Sequence, residues 1–143
     1  MKIQFAVLKP IKLLLGLILF MITMFAAADD IRTEQVQFNK GTSGTVVEDT
    51  IKGYEVVDYV LNAREGQHMN VSMATKNTAT YFNIMAPGEN EAAMFNGSVN
   101  GNQFEGKLPA NGDYKVRVYM MRSAARRNEV ADYRLEIIID SGK

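Results

Sequence analysis

Two alternating hydrophobic runs near the C-terminus limit what this chain can fold into. Tyr114, Val116, Val118 and Met120 sit two residues apart, and so do Tyr133, Leu135, Ile137 and Ile139. A period of two places each set on one face of a β-strand. The connection between the runs, Arg122-Ser123-Ala124-Ala125-Arg126-Arg127-Asn128, carries three arginines and no large apolar residue. Two strands that present a cationic loop offer a binding surface on a rigid scaffold.

The same period recurs upstream. Gln35–Phe38, Thr45–Ile51, Val57/Tyr59/Leu61, Met69/Val71/Met73, Tyr81–Ala86 and Phe104–Leu108 read as further strands, punctuated by Gly-, Asn- and Pro-containing turns. About eight short strands with turn signals between them predict an all-β fold, a single antiparallel β-sandwich of jelly-roll type or a barrel. No 3.6-residue period is long enough for a substantial helix, which excludes a βαβ architecture. The segment Gly88–Gln103 is polar, glycine-rich and aperiodic, and reads as a long surface loop joining two strands and crossing between sheets.

The first 28 residues have the layout of a secretory signal: Lys2, Lys9 and Lys12, an uncharged run from Leu13, then Ala26-Ala27-Ala28. The rival, a retained membrane anchor, is disfavoured because Leu13–Ala28 falls short of the roughly 20 residues needed to cross a bilayer. Cleavage near Ala27 or Ala28 is expected to release residues 29–143 as one periplasmic domain without stable membrane association. That stretch holds thirteen basic against sixteen acidic residues, a net charge of −3. A mildly acidic domain lacks the basic footprint of a nucleic-acid binder, and its charge favours encounter with basic partners.

Chemistry at a catalytic or metal centre finds little material. The chain has no cysteine and one histidine, His68, read as a solvated residue at a strand start. Cofactors, zinc and calcium are not expected, since neither thiolates, histidine clusters nor a D-x-D-x-D-G loop are present. The acidic pairs Asp29-Asp30 and Glu48-Asp49 read as solvated, because adjacent strand residues point to opposite faces. Met69, Met73 and Met120 fall on inner faces and read as core filler rather than a copper site. The chain is therefore not expected to be an enzyme.

Arginine rather than lysine stands at 117, 122, 126, 127 and 134. This spread reads either as a solubilising loop or as a carboxylate-binding one, since guanidinium forks pair bidentately with carboxylates. One helical turn at Arg122-x-x-x-Arg126 would put both side chains on one side. Tyr54, in the turn after Lys52-Gly53, either tucks back as a corner residue or stands exposed as a contact anchor.

The run KGYEVVDYVLNAREGQHMNVSM, together with LPANGDYKVRVYMMRSAARRNEVADYRLEI, resembles the periplasmic inhibitors of g-type (goose-type) lysozyme. The wider pattern, A-x-x-G-Q-x-x-x-V-x-M followed by L-P-A-x-G-x-Y-x-V-x-V, is similar to the prepeptidase C-terminal β-sandwich domain. The resemblance spans about Val36 to Ile139. It implies a g-type lysozyme as protein partner and an inhibitory surface built from Tyr54 of K-G-Y and Arg122 and Arg126 of R-x-x-A-R. Ser123, Arg127 and Asn128 would flank it. Where relatives can carry a Ser-Gly pair before I-K-G-Y, Glu48-Asp49-Thr50 stands here and adds two negative charges. The alternative function is an exported glycan- or peptidoglycan-binding module, with Tyr54, Tyr81 and Tyr119 as a sugar-stacking platform.

Overall fold

Nine strands and two single-turn helices make up the computed structural model, which describes residues 31–40 and 42–141. The signal reading at 1–28 and the pair Asp29-Asp30 lie outside the described residues. In chain order the elements are β1 (Ile31–Gln35), β2 (Gly44–Lys52), β3 (Val56–Ala63), β4 (His68–Thr75), β5 (Thr80–Met85), β6 (Phe95–Asn96), α1 (Gly97–Asn100), β7 (Gln103–Lys107), β8 (Gly112–Met120), α2 (Arg122–Arg126) and β9 (Val130–Asp140).

They form the expected sandwich. One sheet has the order β1-β3-β8-β5-β6 and the other β2-β9-β4-β7. Every pairing is antiparallel except β1, which runs parallel to β3 with Ile31 opposite Val56. The two runs that define the fold lie in opposite sheets. Tyr114, Val116, Val118 and Met120 of β8 are buried against the same core as Tyr133, Leu135 and Ile137 of β9. The connection through α2 is thus an arch across the sandwich rather than a hairpin. Burial of large side chains such as Leu61, Phe82 and Leu135 contributes about 1.5–3 kcal/mol apiece. Met69, Met73 and Met120 are buried in that core, as their inner-face positions require.

Three features differ from the sequence reading. The first strand is Ile31–Gln35, not Gln35–Phe38. Val36 and Phe38 pack against the core just beyond β1, where the Val36 N–H still donates to the Val60 carbonyl of β3 at 2.8 Å. Second, Gly88–Gln103 is anchored rather than a loose connection. Phe95 stacks on Phe82 with centroids 5.3 Å apart and meets Phe104 at 5.2 Å. Beside it, Gly97 lies so close to β5 that an added Cβ would be 2.3 Å from the Phe82 carbonyl oxygen. The segment does cross between sheets, from β5 and β6 to β7. Third, the tyrosine that serves as a corner is Tyr114. Its hydroxyl donates to the Ala110 carbonyl at 2.7 Å and accepts from the Ala110 N–H at 3.1 Å.

A buried polar seam joins the edges of the two sheets. The hydroxyls of Tyr59 (β3) and Tyr133 (β9) are 2.6 Å apart. Burial pushes the Tyr59 phenol up to about 12 and raises that of Tyr133 as well. Asp49 belongs to this seam, since it accepts from Tyr59 at 3.4 Å and pairs with Arg32 of β1. The expectation that Glu48-Asp49 is solvated therefore holds only for Glu48, which is exposed on β2 opposite Arg134 of β9.

Candidate functional site

The turn between β2 and β3 is four residues long, Lys52-Gly53-Tyr54-Glu55, closed by the Glu55 N–H donating to the Lys52 carbonyl at 3.1 Å. Gly53 has φ +60° while Tyr54 does not enter the left-handed region, the pattern of a type II′ turn with glycine at its first central position. The Lys52 N–H also donates to the Glu55 carboxylate at 2.9 Å. The turn carries the chain from one sheet to the other, and its geometry leaves Tyr54 half exposed, at 50 %. Of the two fates open to this side chain, the structure gives the exposed one.

The loop after β8 folds as the single helical turn that the arginine spacing suggests. Ala125 N–H donates to the Met121 carbonyl at 2.9 Å. Ala124 and Ala125 are buried in the core, so small residues tether the helix while Arg122, Ser123 and Arg126 face solvent. Asn128 then ends the turn at φ +54°, the conformation in which asparagine commonly terminates a helix.

The structure sorts the five clustered arginines. Arg117 makes a bidentate pair with buried Asp58, Nε to Oδ1 at 2.7 Å and Nη2 to Oδ2 at 2.8 Å. Arg127 places Nε and Nη2 on the Glu129 carboxylate at 2.8 and 2.5 Å. Arg134 meets Glu136 at 3.5 Å. Among the described residues, Arg122 and Arg126 have no acidic partner within salt-bridge distance. Among the described residues, two guanidiniums on one helical turn are thus held out to solvent without an ion-pair partner.

Tyr54 and Arg122 line one concavity of about 340 Å³ on the outer side of the β1-containing sheet. Glu55, Asn83, Arg117 and Tyr119 contribute to the same walls. Arg126 is one helical turn from Arg122 and extends the cationic edge. The segments are also in direct contact, because the Gly53 N–H donates to the Glu129 carbonyl at 2.9 Å. The tyrosine turn and the arginine helix, about 70 residues apart in sequence, therefore form one continuous surface.

The flanking residues have separate situations. Ser123 is exposed, Arg127 is committed to Glu129, and Asn128 packs its side-chain oxygen against Gly53. Asp49 is engaged by Arg32, and Glu48 lines a different concavity with Lys76, Asp132 and Arg134. Neither added acid lines the concavity shared by Tyr54 and Arg122. His68 is exposed at the start of β4. Tyr81 and Tyr119 stand 6.5 Å apart but are inclined by 42°, and their hydroxyls bond to the Thr78 carbonyl and to Asn83. The two rings are therefore not coplanar. The sequence reading passed over Glu129, and named Gly53 only as part of the K-G-Y turn and Asn128 only as a flanking residue; the contacts of these three link segments far apart in the chain. The local signs were a glycine before an exposed tyrosine and an asparagine where α2 ends.

No protein-family model matches the chain. It is 32% identical over 130 residues to the inhibitor of g-type lysozyme of Escherichia coli strain K12, covering 90% of this chain and 94% of that protein. The crystal structure of the Aeromonas hydrophila periplasmic inhibitor of g-type lysozyme superposes with a TM-score of 0.72 at 36% identity, over 79% of this chain and all of the other. The pre-peptidase C-terminal domain of a Bacillus anthracis collagenase shares the fold at 15% identity and a TM-score of 0.50, over 78% of this chain and 96% of that domain.

Proposed function

Because the chain belongs to the family of periplasmic inhibitors of g-type lysozyme, we propose that it inhibits a g-type lysozyme by presenting Tyr54, Arg122 and Arg126 to the enzyme's substrate cleft. The protein is periplasmic, as its relatives are, which puts it beside the peptidoglycan it would protect. The observation that carries the mechanism is the shared surface. Arg122 and Arg126 lack acidic partners among the described residues, and the Tyr54 turn is packed directly against the arginine helix.

The chemistry follows from what a glycoside hydrolase keeps in its cleft. Such enzymes work with carboxyl groups that flank the scissile bond. A guanidinium fork offers a carboxylate two parallel N–H donors, and within a water-poor cleft such charge-assisted bonds are strong. An arginine bonded there excludes the sugar chain and holds a carboxyl group in its charged form, which cannot act as a general acid. The rigid arch matters because a loop already in its bound conformation has little freedom to lose on association. Tyrosine at the rim adds apolar contact area and a hydroxyl, the usual make-up of an anchor.

Removing one partner of such a charge pair costs about 2–5 kcal/mol of binding. The double variant Arg122→Ala/Arg126→Ala is thus expected to inhibit at least about a hundredfold more weakly. Its thermal unfolding midpoint should stay near that of the parent, since both side chains are exposed and without acidic partners among the described residues. Full inhibition by the double variant would refute the mechanism.

A further inference from the structure

The contact between the tyrosine turn and the arginine helix has more detail than packing alone requires. Gly53 and Asn128 meet there, both with φ in the left-handed region, and Asn128 is the one non-glycine among the described residues with a positive φ. An added Cβ on Gly53 would lie 2.7 Å from the Asn128 Oδ1 and 3.4 Å from the Ala125 carbonyl oxygen. Two left-handed backbone positions thus meet where the two segments touch, which restricts the side chains that either position accepts.

Glu129 ties the contact together. Its carbonyl accepts from the Gly53 N–H at 2.9 Å, and its own N–H donates to the Ala124 carbonyl at 3.2 Å. One carboxylate oxygen takes the Arg127 guanidinium, and the other accepts from Asn77 Nδ2 at 3.1 Å in the β4–β5 connection. Three loops therefore converge on one residue outside the apolar core. A helix of five residues does not hold its shape in isolation, so its position depends on such ties.

We propose that Gly53, Asn128 and Glu129 form a clamp that sets the spacing between Tyr54 and the Arg122/Arg126 helix, with Glu129 as its positioning residue. This rests on the inhibitory surface proposed above and extends it. The clamp residues need not touch the enzyme. They act by delivering the aromatic anchor and both guanidiniums as one preformed unit, which lowers the ordering cost of binding.

The test is a set of variants measured for inhibition of g-type lysozyme, each made with Tyr54 present and again with Tyr54→Ala. Gly53→Ala drives a methyl group into Asn128 and should weaken inhibition about tenfold or more when Tyr54 is present. With Tyr54 already removed, the same change should cost no more than about twofold. Adding Asn128→Gly, which clears the Oδ1 and keeps the positive φ, should restore the part of the loss that comes from this contact, while the strain of alanine at φ +60° remains. Glu129→Gln retains size and backbone and covers the case in which Gly53→Ala does not fold. It should lose inhibition several-fold only while Tyr54 is present. Equal losses with and without Tyr54, or no loss at all, would overturn the clamp. If Tyr54→Ala itself leaves inhibition intact, the inhibitory surface fails and the clamp with it. If Tyr54→Ala weakens inhibition but the clamp variants act additively, only the clamp is wrong.

Discussion

Replacing Asp58 with alanine probes how the outer face beside Tyr54 is held. The Asp58 side chain is 5% exposed and accepts two bonds from Arg117, whose side chain is 22% exposed. Removing one partner of a buried pair costs about 3–5 kcal/mol, because the remaining charge loses bonds that offset its desolvation. Two facts put this case at the lower end. Arg117 reaches some solvent, and its Nη1 still donates to the Asn90 carbonyl at 3.3 Å. The expected loss is therefore about 3 kcal/mol. At about 4 °C per kcal/mol for a domain of this size, the unfolding midpoint should fall by about 12 °C. Removing both charges together, as Asp58→Leu/Arg117→Met, should recover most of that loss, because neither charge is then held away from water. Calorimetry or urea unfolding of the three variants decides the matter. A loss below about 1 kcal/mol for Asp58→Ala would refute the reasoning, since that is the range of a solvent-screened surface pair.

Three further outcomes are expected. Tyr114→Phe removes the hydroxyl that satisfies both Ala110 backbone groups, and should cost about 1–3 kcal/mol in urea unfolding with the fold retained. In an alkaline titration followed by phenolate absorbance, Tyr59 and Tyr133 should ionise above the ordinary phenol range. Their folded values are raised, so the stability they contribute is complete below the ordinary phenol value and declines as pH rises toward about 12; Tyr59→Phe/Tyr133→Phe should reduce that decline. In acid the sign reverses for Glu129, whose carboxyl is held below its ordinary value by its bonds from Arg127 and Asn77. Its contribution is present above the unfolded carboxyl value and is lost as pH falls through the folded one, so Glu129→Gln should flatten the acid limb of the stability profile.

Much of this molecule is legible in its sequence, for a physical reason. A strand packed on one face exposes alternate residues to two environments, so Tyr114–Met120 and Tyr133–Ile139 declare their geometry locally. The Arg122-x-x-x-Arg126 spacing likewise contains its helical turn. What escapes is whatever depends on a distant partner. Val36 and Phe38 alternate like a strand, yet the ladder with β3 runs out at Val36, whose N–H bonds to the Val60 carbonyl, and the strand itself starts at Ile31. Phe95 sits in a polar segment and becomes core only because Phe82 and Phe104 surround it. Asp49 looks solvated until Arg32 and Tyr59 are placed beside it. The five arginines are equivalent as letters; Asp58, Glu129 and Glu136 separate three of them from Arg122 and Arg126. The meeting of Gly53 with Asn128 is set by how β2, β3 and β9 end at the same edge of the sandwich.

The most direct measurement is a cell-wall lysis assay with purified residues 29–143 against g-type, chicken-type and invertebrate-type lysozymes side by side. The account predicts that g-type activity alone is abolished at near-stoichiometric inhibitor. Undiminished g-type lysis under those conditions would contradict it.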